Sequence, residues 1–206
     1  MVDETYFQYL QRHTGALSIA LGYRDQQTQL HSTRVAQRAV ALGARCGMTA
    51  RDLALLRIAA GVHDIGKIGI PDSILGKRSR LTAEDWDAIR THPSMGAEIL
   101  LAGGFDGAAE LAEIVRHHHE HVDGSGYPEG LRGDAIPLGA RIVSIVDAYD
   151  AMDEARPYHH RRGHDEIMEI LDSEAGRRRD PEILKEFSAI VGTPDAGISE
   201  RPDSRA

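Results

Sequence analysis

Apolar residues recur at helical spacing along most of this chain, and this periodicity constrains the fold more than any other feature. Within residues 28–45, for example, Val35, Ala39 and Leu42 fall on one stripe of a helix. Alternating apolar and polar runs long enough for a strand do not occur in the sequence, and it has no internal repeat. We therefore predict an all-α fold, a compact helical bundle, with helices over residues 5–21, 28–45, 49–63, 82–91, 93–101, 107–119, 137–149, 164–172 and 181–190.

Capping residues and helix breakers support several of these boundaries. Thr49 is a candidate N-cap with Asp52 at the third helical position, which is the pattern of a capping box, and Thr82 is a second candidate. Pro93 suits the first turn of a helix. Residues 68–71 are expected to be irregular, because the proline at position 71 disfavours helix in the residue before it.

Length and charge narrow the range of functions. The chain has 206 residues, enough for one compact domain and few for two, and its formal net charge is −8. This charge excludes the broad basic surface that duplex nucleic acid requires, so an anionic substrate needs a local concentration of positive charge such as metal ions. The single cysteine, Cys46, excludes an internal disulfide and suits a reducing compartment.

The sequence shows neither a transmembrane segment nor a signal for export. No apolar run reaches transmembrane length, and the opening Met1-Val2-Asp3-Glu4 is unlike a signal peptide. We therefore expect a cytoplasmic protein with no membrane partner.

Imidazole and carboxylate side chains occur at the ends or on the inner faces of several predicted helices. Bundles build buried metal sites from such side chains when they converge from different helices. Asp147 stands out because its helix is otherwise apolar around it, and a buried carboxylate needs a partner such as a cation. The candidate ligands are His31, His63, Asp64, His92, His118, His119 and Asp147.

Each of these signals has a plainer interpretation when it is taken alone. A single histidine is more often a surface or core residue than a metal ligand, and residues 117–119 could be a solvated helix end. Asp147 could bond a backbone group or an arginine instead of a cation. The glycine-rich stretch at 123–130 could be an ordinary turn.

Taken together and in this order, the motifs resemble those of the HD-GYP family. The resemblance covers about residues 24–190. It rests on the segments His63-Asp64-Ile65-Gly66-Lys67, Thr91-His92-Pro93, His118-His119-Glu120, Asp123-Gly124-Ser125-Gly126-Tyr127-Pro128, Ile136-Pro137-Leu138-Gly139, Asp147-Ala148-Tyr149-Asp150 and Arg156-Pro157-Tyr158. The family is an all-helical branch of the HD phosphohydrolase superfamily, and its members typically hydrolyse cyclic di-GMP with two or three iron or manganese ions.

The resemblance implies a division of the chain and a set of site residues. Residues 1–23 would be a helical extension, 24–192 the catalytic domain and 193–206 a flexible tail. The seven candidate ligands would hold two divalent ions, iron or manganese by preference, with zinc, cobalt or nickel possible in a purified sample. Asp64 would bridge the two ions, and Lys67 would contact the scissile phosphate and stabilise the charge that develops on it. A helix-capping role for Lys67 is compatible with this one.

Three further residues would contact the substrate. Tyr127 and Arg156 match family positions that bind the cyclic dinucleotide, and His159 occupies a position where the family often has Arg or Lys. The alternative is that Tyr127 packs the loop and that Arg156 pairs with Asp150 or Asp153.

The chain also departs from the family pattern. Gln27 stands where some members have a glutamate that binds a third metal ion, so we expect two ions and a reaction that stops mainly at linear pGpG rather than GMP. The basic triplet at 177–179 could hold nucleotide phosphates, although a solvated run beside a helix is the preferred interpretation.

Two rival functions remain open at this point. The same metal site could act on another cyclic dinucleotide or on a mononucleotide, or the chain could be a catalytically weak adaptor that binds the dinucleotide or a diguanylate cyclase. The expected partner is cyclic di-GMP. We expect no sensor domain before the family region, so the protein is either free-standing or works with a diguanylate cyclase or with a sensor or receiver on a separate chain.

Overall fold

The computed structural model describes residues 1–24, 26–77, 79–153 and 162–192, without the side chains of Gln26 and Gln27. Within these ranges the chain forms helices and loops with isolated bridges, which confirms the all-α prediction. Two 3₁₀ turns cover Ile65–Gly69 and Gly133–Ala135. The α-helices are α1 (Glu4–Arg24), α2 (Gln26–Arg45), α3 (Ala50–Val62), α4 (Asp72–Leu75), α5 (Ala83–Ile89), α6 (His92–Ala102), α7 (Ala108–His117), α8 (Leu138–Asp153), α9 (His164–Ser173) and α10 (Pro181–Val191).

Helix α3 forms the centre of the core. It packs against α1, α2 and α7, and α2 packs in turn against α8. Most of its side chains are buried, including Leu53, Leu56 and Ala60, because it has neighbours on several sides. The core continues through apolar residues of α8, and Phe187 of α10 is fully buried in it. Because α3 is central, the residues at its C-terminus lie in the interior of the molecule.

The predicted caps define the starts of two helices. The backbone N–H of Asp52 donates to the Thr49 hydroxyl over 3.2 Å at the start of α3. At α5, Thr82 and Asp85 form a complete capping box, since each side chain bonds the backbone of the other residue. These bonds satisfy donors that a helix N-terminus otherwise leaves unpaired.

Several predicted boundaries were wrong. Residues 68 and 69 are not irregular but belong to the first 3₁₀ turn, because that tighter helix ends before the position that Pro71 restricts. The short helix α4 was not predicted. Helix α7 ends at His117, not at residue 119, and α8 continues past 149 to Asp153, since its last turn packs against α2.

Helix α1 packs into the common core rather than standing apart from it. Phe7, Leu10 and Leu21 are buried there. The division at residues 23 and 192 stays a prediction, and the proposed tail from 193 lies outside the described residues. In the described part of the chain, no helix is both long and apolar enough to cross a bilayer.

Candidate metal centre

The seven predicted ligands come from five helices and meet at one place. His63 caps the C-terminus of α3, His92 begins α6 and His118 caps the C-terminus of α7. The ring centroids of His63 and His118 are 5.2 Å apart, and those of His92 and His118 are 5.4 Å apart. His31 of α2 lies 5.5 Å from His63 by the same measure, and Asp147 of α8 reaches both.

A close backbone approach brings the first two motifs together. Gly66, in the 3₁₀ turn after Asp64, lies against the start of α6, where a Cβ atom would be 1.9 Å from the carbonyl oxygen of His92. Only glycine permits this approach. The contact therefore places the Asp64 carboxylate beside the His92 imidazole, with 3.4 Å between Oδ1 and Nε2.

Three of the histidines share one hydrogen-bonding pattern. The Nδ1–H of His63 donates to the carbonyl of Ala60 over 2.7 Å, and the Nδ1–H groups of His92 and His118 donate to the carbonyls three residues before them over 2.7 and 2.6 Å. Their Nε2 atoms are buried and have no hydrogen-bond partner among the described residues. A buried nitrogen lone pair without a donor suits a metal ion, so the donor set fits a metal centre.

The candidate ligand atoms fall into two trios. His31, His63 and Asp64 form one, and His92, His118 and His119 form the other. Asp64 faces both, since its Oδ2 is 3.6 Å from His63 Nε2 while its Oδ1 is 3.4 Å from His92 Nε2. A carboxylate in this position can bridge two cations.

Asp147 adds a fourth candidate ligand to the first trio. Its Oδ1 lies 2.9 Å from His31 Nε2 and 3.6 Å from His63 Nε2. Burial raises the pKa of Asp147, but the two imidazoles outweigh the burial and hold that pKa well below its usual range. Within the described part of the chain, the Asp147 carboxylate thus contacts histidines rather than a backbone group or an arginine.

Lys67 lies beside the carboxylate that both trios share. Its Nζ is 2.6 Å from Asp64 Oδ2, and 30% of its side chain remains exposed, so it can also reach a ligand from solvent. Burial raises the pKa of Asp64, yet Lys67, His63 and His92 together lower that pKa far below its usual range. The carboxylate is therefore ionised, as a cation ligand must be.

The two trios differ in electrostatics. Burial lowers the pKa of His119 to about 3 and lowers the pKa of His92 and, more strongly, of His118, so this trio presents neutral imidazoles. The pKa of His31 rises instead to about 9, because its hydrogen bonds with Asp147 and Asp150 outweigh the effect of its burial. The His31 trio is thus the more anionic of the two, since Asp64 belongs to it and Asp147 lies against it, and a cation bound there would displace the proton from His31.

The glycine-rich loop lies directly over the second trio. The ring centroid of Tyr127 is 4.9 Å from that of His119, and the Tyr127 N–H donates to the His119 carbonyl over 3.2 Å. The Arg90 guanidinium lies 5.9 Å from the Tyr127 ring centroid. An aromatic ring and a cation therefore lie beside the second trio.

Glu120 ties this loop to the end of α7, a role the sequence did not suggest. The side chain is buried, and its carboxylate accepts from the backbone N–H groups of Glu129, Gly130 and Leu131 over 2.7, 3.0 and 3.1 Å. The only sequence signal was its place next to His119 in the quoted motif.

Other predicted features have mixed outcomes. Arg156 and His159 lie outside the described residues, and so does the side chain of Gln27.

Residues 117 and 118 are almost fully buried, so the alternative of a solvated helix end is wrong. In the basic triplet, Arg178 pairs with Glu174 and is half exposed, whereas Arg179 is mostly buried against Glu174 and the Ser144 carbonyl. The solvated interpretation therefore fails for Arg179.

Comparison with known proteins finds similar sequences, among them phosphodiesterases. Residues 16–183 match the family model described as HD domain. The cyclic di-GMP phosphodiesterase response regulator RpfG of Xanthomonas campestris pv. campestris is 39% identical over 169 residues, which are 82% of this chain and 44% of that protein. The 3′3′-cGAMP-specific phosphodiesterase 2 of Vibrio cholerae is 36% identical over 187 residues, which are 87% of this chain and 36% of that protein.

A solved structure agrees in fold. Bd1817, an HDG"Y"P protein from Bdellovibrio bacteriovorus, has a TM-score of 0.66 and 22% sequence identity, and the match covers 91% of this chain and 60% of that one. The chain spans less than half the length of the two curated relatives. The match in sequence and fold thus concerns one domain of larger proteins.

Proposed function

Because the chain belongs to the HD domain family, we propose that it is a metal-dependent phosphodiesterase that hydrolyses cyclic di-GMP to linear pGpG. One water is consumed for each ring that opens. Its oxygen forms a bond to phosphorus, and the bond from phosphorus to the ribose 3′ oxygen breaks. The 3′ oxygen leaves with a proton, and the phosphate stays on the 5′ side.

The observation that carries the proposal is the position of Asp64 between the two trios. Its two oxygens face His63 on one side and His92 on the other, 3.6 and 3.4 Å from the respective Nε2 atoms. We propose that the trios hold one divalent ion each, with Asp147 completing the first. Mixed imidazole and carboxylate ligands favour iron or manganese.

Bound divalent ions would supply Lewis acidity, which lowers the pKa of water and withdraws charge from the phosphate oxygens. Lys67 adds a fixed positive charge beside Asp64. From this position its ammonium group can donate a hydrogen bond to a non-bridging phosphate oxygen as negative charge develops there. In a chain of net charge −8, these groups provide the local attraction that a dianionic substrate needs.

Tyr127 and Arg90 suit the nucleobase side of the substrate. The tyrosine ring offers a stacking surface 4.9 Å from His119, and the Arg90 guanidinium adds a planar donor group next to it. Arg156 and His159 remain proposed substrate contacts. A second substrate, 3′3′-cGAMP, is supported by the 36% identity to a phosphodiesterase named for it.

The test is hydrolysis by the purified chain loaded with Mn²⁺, or with Fe²⁺ without oxygen. We expect cyclic di-GMP to be consumed and pGpG to accumulate, with turnover lost in Asp64→Ala. Parallel reactions with 3′3′-cGAMP and with a panel of mononucleotides identify the preferred substrate. Exhaustive digestion that yields GMP alone rejects pGpG as the end product, and tight binding without turnover under either metal supports the adaptor function instead.

The remaining functional assignments stay predictions. They are the cytoplasmic location, and a diguanylate cyclase or a separate sensor or receiver protein as partner.

A further inference from the structure

His31 differs from the other trio histidines in the partner of its outer nitrogen. Whereas His63, His92 and His118 donate from Nδ1 to backbone carbonyls, His31 Nδ1 lies 2.8 Å from Oδ2 of Asp150. Both side chains are buried, and Asp150 is only 1% exposed. The imidazole is therefore held on one side by Asp150 and faces Asp147 on the other, where Nε2 is 2.9 Å from Oδ1.

Two arginines hold the Asp150 carboxylate in place. Arg34 donates from Nε and Nη2 to Oδ2 over 3.0 and 2.7 Å, and Arg38 pairs with Oδ1. Burial raises the pKa of Asp150, but His31 and the arginines outweigh it and lower that pKa. With both oxygens engaged, the carboxylate cannot rotate away from His31.

The network follows from helical spacing on two packed helices. His31, Arg34 and Arg38 are three and four residues apart, so α2 presents them on one face. Asp147 and Asp150 are three residues apart on α8, so one points to the inner nitrogen of His31 and the other to its outer nitrogen. The packing of α2 against α8 thus positions the imidazole between two carboxylates with different roles.

We propose that Asp150 is a positioning residue for the first metal ion: through Nδ1 it orients His31 so that Nε2 points into the trio of His31, His63 and Asp64. This inference rests on the proposed function for the identity of the site. Among the described residues, Asp150 contacts His31, Arg34 and Arg38, none of which belongs to the second trio, so we expect its effect to be confined to one of the two ions. A carboxylate behind a histidine ligand fixes the ring orientation and increases its basicity, and its loss typically weakens metal binding about 10–100-fold.

The experiment compares metal binding by the wild type, Asp150→Ala, Asp150→Asn and the control Asp153→Asn. Asp153 lies one turn further along α8, with Oδ2 3.7 Å from Arg38 Nη2, whereas the carboxylate that bonds His31 Nδ1 is that of Asp150. Each purified chain is titrated with Mn²⁺ and with Co²⁺, and the bound metal is counted by mass spectrometry. Co²⁺ absorption reports the ligand field at each site, and circular dichroism and thermal melting report the fold.

We expect Asp150→Ala to bind one ion with wild-type affinity and the other about 10–100-fold more weakly. Asp150→Asn keeps an acceptor oxygen and should weaken the same ion less, and Asp153→Asn should bind both normally. Wild-type affinity for both ions in a folded Asp150→Ala chain overturns the inference, as does equal weakening at both sites. If the alanine variant does not fold, unchanged binding by Asp150→Asn overturns it.

These outcomes separate the inference from the proposed function. A wild-type chain that binds two ions but hydrolyses neither cyclic dinucleotide overturns the function alone, because the metal titrations still decide the role of Asp150. A wild-type chain that binds no ion overturns both.

Discussion

Lys67 and Asp64 form an ion pair across one 3₁₀ turn, with 2.6 Å between Nζ and Oδ2. The same carboxylate faces both histidine trios, so a single side chain connects the lysine to both candidate cation sites. This arrangement places a permanent positive charge next to the group that would bridge the ions. A substrate phosphate drawn to such ions would therefore lie within reach of Lys67.

Replacing Lys67 tests its role in charge stabilisation. Lys67→Met should lower kcat about 10²-fold or more while metal content stays near the wild-type value, because its charge acts on the transition state. Steady-state kinetics with metal analysis of the same sample makes the measurement. Lys77→Met is the control, since Lys77 pairs with Asp85 away from the centre. A wild-type kcat in Lys67→Met would remove the lysine from the mechanism.

Replacing Asp64 tests the shared carboxylate. Asp64→Asn should lose affinity for both ions rather than one, because each oxygen faces a different trio and an amide is a poor ligand for a divalent ion. Mass spectrometric metal counting after desalting measures the effect. Asp72→Asn, an exposed aspartate that pairs with Arg24, should retain full metal content. Retention of two ions by Asp64→Asn would contradict the bridging position.

Two substitutions at Tyr127 separate its ring from its hydroxyl. If the ring stacks on a base, Tyr127→Ala should raise KM roughly 5–100-fold, the equivalent of about 1–3 kcal/mol, whereas Tyr127→Phe should stay within about twofold. A large effect in Tyr127→Phe would instead assign the contact to the hydroxyl. Tyr23→Ala serves as the control because that side chain is 90% exposed on α1.

Loss of the Glu120 carboxylate should release the loop that carries Tyr127. Glu120→Gln removes the negative charge of a carboxylate that accepts hydrogen bonds from three backbone N–H groups. We expect this to lower the free energy of unfolding by about 2 kcal/mol. Hydrogen exchange at Glu129, Gly130 and Leu131 should accelerate, and KM should rise as Tyr127 loses its fixed position. Glu113→Gln, on the exposed side of α7, should leave both unchanged. Normal exchange rates in Glu120→Gln would show that other contacts hold the loop.

Two glycines five residues apart should respond oppositely to alanine. A Cβ atom at Gly66 would lie 1.9 Å from the His92 oxygen and 2.6 Å from the Gly96 nitrogen, so Gly66→Ala forces the 3₁₀ turn away from α6. We expect a loss of about 1–3 kcal/mol, or several degrees in Tm. At Gly61, within α3, a Cβ would meet nothing within 4 Å, so Gly61→Ala should gain about 0.5–1 kcal/mol. Thermal melts compare them directly, and equal Tm values would refute the packing argument.

Most of the helices could be predicted because local patterns produce them. The stripe in α2 and the caps at Thr49 and Thr82 are formed by residues close together in the chain, and their helices were found near the expected positions. The errors occurred where tertiary contacts override local preference. The 3₁₀ turn after Asp64 packs on α6, and the last turn of α8 gains contacts with α2.

The sequence predicted which residues form the candidate site but not which contacts they make. Motifs alone singled out the histidines and aspartates, and the family resemblance that they carried is confirmed. Glu120 had no role assigned within the quoted motifs, and Asp150 was considered only as a possible partner of Arg156, because the partners of both carboxylates come from distant parts of the chain or from a loop. Their partners are loop amides and an imidazole 119 positions away.

By itself, then, the sequence determined most of the helical segments and which side chains are available as ligands, since local patterns of a few residues specify both. The tertiary structure alone decided that Asp64 turns one oxygen to each trio and that Asp150 stands behind His31. Such contacts depend on how α2, α3, α6 and α8 pack, and helix packing depends on the fit of whole surfaces that are distant in the chain.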